Sequence, residues 1–144
     1  HHRSSAASDV YKRQFKDGAS KICYIISQPI ATSPSDLNRG EHALMITNFK
    51  DDGTFHEASV DTGFTFKPKS MVEVSINNSS YKFFTIESRA WLAEGENSKK
   101  LIKDMKNGAR VKVKSISSRG TKITDTYSLI GFTKALAAID EACS

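Results

Sequence analysis

His42 and His56 are the side chains of this sequence best suited to proton transfer near neutral pH. A histidine becomes a catalytic base only beside a nucleophile and an orienting acid. No GxSxG, HExxH or glycine-rich phosphate loop surrounds either one. Both fall on predicted strands near one hairpin, where they are expected to face each other as cross-strand or surface groups. Paired carboxylates are the other route to hydrolysis. Asp51-Asp52 reads as a hairpin turn, and Asp140-Glu141 as the solvent side of a helix. The pattern points away from an enzyme: it offers no catalytic residue, no metal-ligand spacing and no cofactor loop.

Two cysteines remain, Cys23 and Cys143, near opposite ends of the chain. Zinc sites use close pairs and redox motifs use CxxC, so neither chemistry fits. The alternatives are two buried free thiols or one long-range bridge. Their even number and flanking positions favour the bridge if the protein is exported.

The basic residues suggest contact rather than catalysis. Lys112, Lys114, Arg119 and Lys122 cluster around one predicted hairpin, and Lys99, Lys100, Lys103 and Lys106 lie on the segment before it. Such a face suits acidic glycans, anionic headgroups or nucleic acid, with a solubilising surface as the plain alternative. No aromatic residue interleaves these lysines, so stacking on single-stranded nucleic acid has no support. The net charge of +5, of which the first 14 residues supply +2, is also mild for nucleic-acid binding.

These groups must be positioned by strands. Residues 21–27, 41–49, 54–60, 71–76, 81–86, 111–114 and 122–129 are rich in β-branched and aromatic residues or alternate polar with apolar, and turn residues separate them. Asp52-Gly53, Asn77-Asn78 and Arg119-Gly120 are the hairpin turns. Ala31–Gly40 and Thr62–Ser70 read as loops. A short helix is expected over Ser98–Lys106, capped by Asn97 or Ser98 and stopped at Asn107-Gly108. A closing helix carries Phe132, Leu136, Ile139 and Cys143 on one stripe, which aims Cys143 inward towards the opening strand. Antiparallel strands at this spacing make a sandwich or barrel. At 144 residues one domain is expected, over residues 15–144. Residues 1–14 lack an apolar period and read as a non-native or disordered tail. No apolar run is long enough to span a membrane.

Several motifs fall into a familiar order: Cys23-Tyr24 with Ser27-Gln28-Pro29, Asn38-Arg39-Gly40, Gly63, Phe66-Lys67-Pro68, Ala90-Trp91, and Ser118–Leu129 running into Gly131-Phe132-Thr133, Ile139-Asp140 and Ala142-Cys143. Over about residues 20–143 the chain resembles the invasion-associated locus B family. The resemblance implies a mainly β, immunoglobulin-like antiparallel sandwich and an alphaproteobacterial envelope protein, periplasmic, secreted or outer-membrane associated. A signal peptide is expected upstream of the sequence in hand. It implies no enzymatic activity, no cofactor and no metal. It also implies a protein or glycan partner at the envelope or, in pathogenic members, the host surface. A periplasmic structural or stress-related protein without a host role is the alternative.

Overall fold

The computed structural model describes residues 10–17, 20–35 and 37–143, with residues 10–17 and Ser20 described by backbone alone. Among these, the elements run β1 (Val10–Asp17), β2 (Ser20–Ser27), β3 (Ala31–Ser33), β4 (Ala43–Phe49), β5 (Thr54–Asp61), β6 (Met71–Ile76), β7 (Ser79–Ile86), β8 (Arg89–Leu92), α1 (Ser98–Asn107), β9 (Arg110–Ile116), β10 (Lys122–Ser128) and α2 (Phe132–Ala142). The ten strands form one antiparallel sheet in the order β1-β2-β4-β5-β8-β7-β6-β9-β10-β3.

That order explains the curl of the sheet. β2 lies next to one end, and β3 forms the other end. Only Gln28, Pro29 and Ile30 separate them in sequence, so the two ends of the ladder must meet in space. Ile30 N donates to Thr126 O at 2.7 Å, which fastens the crossing to β10. The inward residues of early and late strands, including Ile25, Ile46, Val60, Val74, Val113 and Tyr127, accordingly share one core. The mainly β, antiparallel expectation with a mid-chain and a C-terminal helix describes the protein. The immunoglobulin-like sandwich is refined in one respect: its layers are parts of a single curled sheet.

Alternation made most strands legible. In β9 the odd-numbered Val111, Val113 and Ser115 are buried, while Arg110, Lys112 and Lys114 are exposed. Three strands fall outside the sequence expectation. β3 sits in a segment read as loop, and it is only three residues long between two prolines. β8 is four residues, too short to show a period. β1 includes residues 10–14, which read in the sequence as part of the tail. It pairs in register with β2 from Val10↔Ser27 to Asp17↔Ser20. Backbone pairing along an outer strand asks for no hydrophobic period, so nothing in residues 10–14 announced it. Residues 1–9 of the expected tail lie outside the described residues.

The helices start and stop where their residues require. Asn97 Oδ1 accepts from Lys100 N at 3.0 Å and caps α1. Gly108 ends α1 without a left-handed turn, at φ −96°. A side chain there would stand 2.7 Å from Ile76 Cγ2, so close packing demands the glycine. Gly131 enters α2 at φ 84°, a left-handed bend that favours glycine.

Gly63 meets both demands. Its φ is +72°, and an added Cβ would sit 2.4 Å from Gly40 O. Gly40 N also donates to Gly63 O at 3.0 Å. Gly63→Ala is expected to lower stability by about 2 kcal/mol or more, because strain and clash coincide. Gly53→Ala is expected to cost less, since its left-handed turn has open space around it. Urea midpoints of the two variants would check the ranking.

Candidate functional site

Cys23 and Cys143 form a disulfide, with Cα atoms 5.9 Å apart. Both are buried, on β2 and at the end of α2. The apolar stripe of α2 turns Cys143 inward, as the sequence spacing suggested. A polar bracket reinforces the same junction. Asn48, the register partner of Cys23, is fully buried. Its Nδ2 donates to Asp140 Oδ1 at 2.8 Å, and its Oδ1 accepts from His56 N at 2.8 Å. His56 Nε2 also lies 2.8 Å from Asp140 Oδ1.

This bracket corrects two expectations. Asp140 keeps a side chain that is 40% exposed, yet it is more than a solvated helix charge, because it ties α2 to the β4–β5 hairpin. His42 and His56 do not face each other. In the β4–β5 register, Ala43 pairs with Asp61 at one end and Phe49 with Thr54 at the other. His42 precedes the first end, where its Nδ1 lies 3.0 Å from Gly40 O. His56 lies towards the second. Asp51 and Asp52 are exposed in the turn between, as expected.

Another group of motif residues, Arg39, Gly63, Phe66, Ser118 and Asp125, gathers around a buried ion pair. Arg39 Nη1 and Nη2 reach Asp125 Oδ1 and Oδ2 at 2.9 and 2.8 Å, a bidentate fork. The two side chains are 5% and 0% exposed. Arg39 Nε and Nη2 also donate to Thr62 O at 3.0 and 2.7 Å, and the guanidinium lies 4.8 Å from the centre of the Phe64 ring. Thr32 Oγ1 donates to Asp125 Oδ1 at 2.9 Å. Ser118 N donates to Thr65 O at 2.8 Å, and Phe66 bridges to Ser117. Tyr127 lies in the core with its pKa pushed far up, first by burial and then by the Asp125 charge, against a lowering from Arg39. The NRG and SRG segments are thus two sides of one structural joint. Asn38, Arg119 and Thr121 also line a surface hollow of about 420 Å³ above it.

The predicted basic surface is partly brought together. Lys112, Lys114 and Lys122 share the outward parity of β9 and β10, where Lys112 pairs with Thr126, Lys114 with Thr124 and Lys122 with Ile116. Arg110 belongs to the same row and was missed, since it opens the strand just after the helix stop. Arg119 stands apart at the hairpin turn. Across on β6, Glu73 Oε1 lies 3.9 Å from Lys114 Nζ, an exposed pair of small energetic value.

A second surface was missed. Trp91 on β8 stacks on Phe84 of β7, with ring centres 5.7 Å apart, and the Arg89 guanidinium lies 5.4 Å from the Trp91 ring. Phe84 is 38% exposed, Ile86 55% and Phe55 43%. They line a cleft of about 560 Å³ beside β5. Its origin is topological: β5 pairs with β8 only over Ser59–Asp61, so the two strands part below Ser59. The visible signal was the Phe83-Phe84 doublet, which places one aromatic on each side of the sheet.

The α1 lysines divide in two. Lys100 Nζ reaches Ser79 Oγ at 3.0 Å, Tyr81 Oη at 3.2 Å and Asp104 Oδ2 at 3.3 Å. The hydrogen bond from Tyr81, ahead of that from Lys100, lowers the Asp104 pKa. Burial and the Asp104 bond raise that of Tyr81. Lys99, Lys103 and Lys106 are exposed. Among the described residues no group of histidine, cysteine or carboxylate side chains is placed to hold a metal ion. No helix among them is long and apolar enough to cross a membrane.

No curated protein matches the sequence. Among solved structures, the crystal structure of invasion associated protein b from Bartonella henselae is similar in fold, with a TM-score of 0.58 at 14% identity, covering 90% of this chain and 99% of that one. A family model described as Invasion associated locus B (IalB) protein matches residues 12–140. With nearly the whole chain matched and the fold shared, this protein belongs to the invasion-associated locus B family.

Proposed function

We propose that this chain is a non-enzymatic binding protein of the bacterial envelope, periplasmic or secreted, and that its partner is an acidic glycan or protein. One observation carries the reading: Arg110, Lys112, Lys114 and Lys122 form an exposed row on adjacent paired strands. Paired strands hold such a row in fixed register, so it presents a patterned positive field with little ordering cost. The Cys23–Cys143 bridge supports an oxidising compartment. The family name and that of the Bartonella protein support a role at a cell surface. Absence of catalysis is supported by the groups that could have provided it. Both sulfurs are bonded to each other, and His56 is held by Asp140 in a structural bracket.

Retention of the full chain on an immobilised uronic-acid or sulfated glycan tests this. Lys112→Glu with Lys114→Glu is expected to weaken binding at least tenfold, and added salt should weaken the parent protein's binding through screening. Equal retention of parent and variant would remove the basic row from the function. A deletion strain whose envelope leaks in pure culture would instead favour a structural or stress role.

A further inference from the structure

The aromatic cleft is independent of the basic row on β9 and β10, and its two ends differ in chemistry. At one end stand Phe55, Phe84, Ile86 and Trp91. The cleft continues past Phe55, His56 and Ser98 into a second hollow of about 560 Å³ along α1, over the buried Ile102. There Lys99, Lys103 and Lys106 line the wall, spaced to share one helix face. No carboxylate among the described residues forms an ion pair with these three lysines, whereas the neighbouring Lys100 has Asp104. Glu57 lies in the wall at the apolar end, where it repels an anion and leaves the lysine end as the place for one.

We propose that this groove binds one long-chain fatty acid, with its acyl tail along the Phe84–Trp91 stack and its carboxylate at Lys99 and Lys103. Each half has a volume within the roughly 300–1,000 Å³ of small-molecule sites. Apolar side chains with a few convergent charges at one end are what such a ligand requires. A neutral lipid would leave the lysines unused, and a hydrophilic anion would leave the aromatics wet.

Trp91 is the single tryptophan of the chain, which makes the test direct. The full chain is titrated with a dibrominated stearate below its micelle concentration, and Trp91 emission is followed, since bromine quenches on contact. Saturable quenching at one ligand per chain is expected. Lys99→Glu with Lys103→Glu is expected to raise Kd at least tenfold, and Ile86→Asp likewise from the other end. Lys112→Glu, on the other surface, should leave Kd unchanged. The brominated alcohol of the same chain length should bind at least tenfold more weakly. Absent quenching overturns the proposal, as does equal binding of acid and alcohol or indifference to the lysine reversals. Quenching seen only with brominated phosphatidylglycerol vesicles also overturns it, in favour of a membrane-contacting face. None of these outcomes depends on glycan retention, so this site and the β9–β10 row stand or fall separately.

Discussion

Reduction of the Cys23–Cys143 bridge, or its replacement by serines, is expected to lower the melting temperature by on the order of 15 °C. The bridge closes a loop across a sequence separation of 120. In the chain-entropy account a loop of that length restricts the unfolded chain enough to stabilise the fold by about 4–5 kcal/mol. The junction does not fall apart with the sulfurs alone, because Asn48 and His56 still hold Asp140. The double serine variant should therefore remain folded at room temperature and unfold cooperatively at a lower temperature. Adding Asn48→Ala is expected to cost a further 1–3 kcal/mol or so, since the Asp140 carboxylate and the His56 N–H lose a common partner. Calorimetry with and without reductant checks the first effect. A shift below a few degrees would mean that the unfolded chain is already compact enough to make the bridge redundant.

Arg39→Met is expected to cost about 3–5 kcal/mol, the second large effect. It leaves the Asp125 carboxylate in a site where its side chain is 0% exposed, with Thr32 as its remaining side-chain donor. It also removes the donors to Thr62 O. Breaking one half of a buried pair costs more than the pair contributes against an apolar replacement. Arg39→Met combined with Asp125→Leu should therefore recover much of the loss. Glu73→Ala, which removes the exposed partner of Lys114, should change stability by less than about 0.5 kcal/mol. Urea unfolding of the four proteins decides the matter. Equal costs at Arg39 and Glu73 would show that burial of the first pair is not maintained in solution.

The sequence made the periodic parts legible and hid the parts that depend on distance. Strands such as β6 and β9 were visible because every second residue is buried. The cysteine pairing was readable because the stripe Phe132, Leu136, Ile139 and Cys143 turns the last sulfur to the core. Arg39 and Asp125 both belong to recognisable motifs, yet 86 positions separate them, and no local pattern links an arginine in a loop to an aspartate in a strand. β3 was invisible for a related reason: three residues carry no period, and their assignment depends wholly on β10. The basic row was foreseen on β9 and β10, but the cleft was not. It arises where β5 and β8 separate, which is a matter of ladder length, and ladder length is written in no single segment.

The crossing at Gln28–Ile30 has a consequence for the order in which the chain can mature. Among the described residues β3 pairs only with β10, while Arg39 waits for Asp125 and Cys23 for Cys143. The early strands are thus completed by partners made 86 to 120 positions later. Such high contact order makes folding slow compared with helical domains. It also means that a nascent chain ending before Lys122 lacks the partners that close its start, so early termination yields an open polypeptide rather than a smaller domain. Closure of the sheet accordingly awaits the synthesis of both β10 and α2.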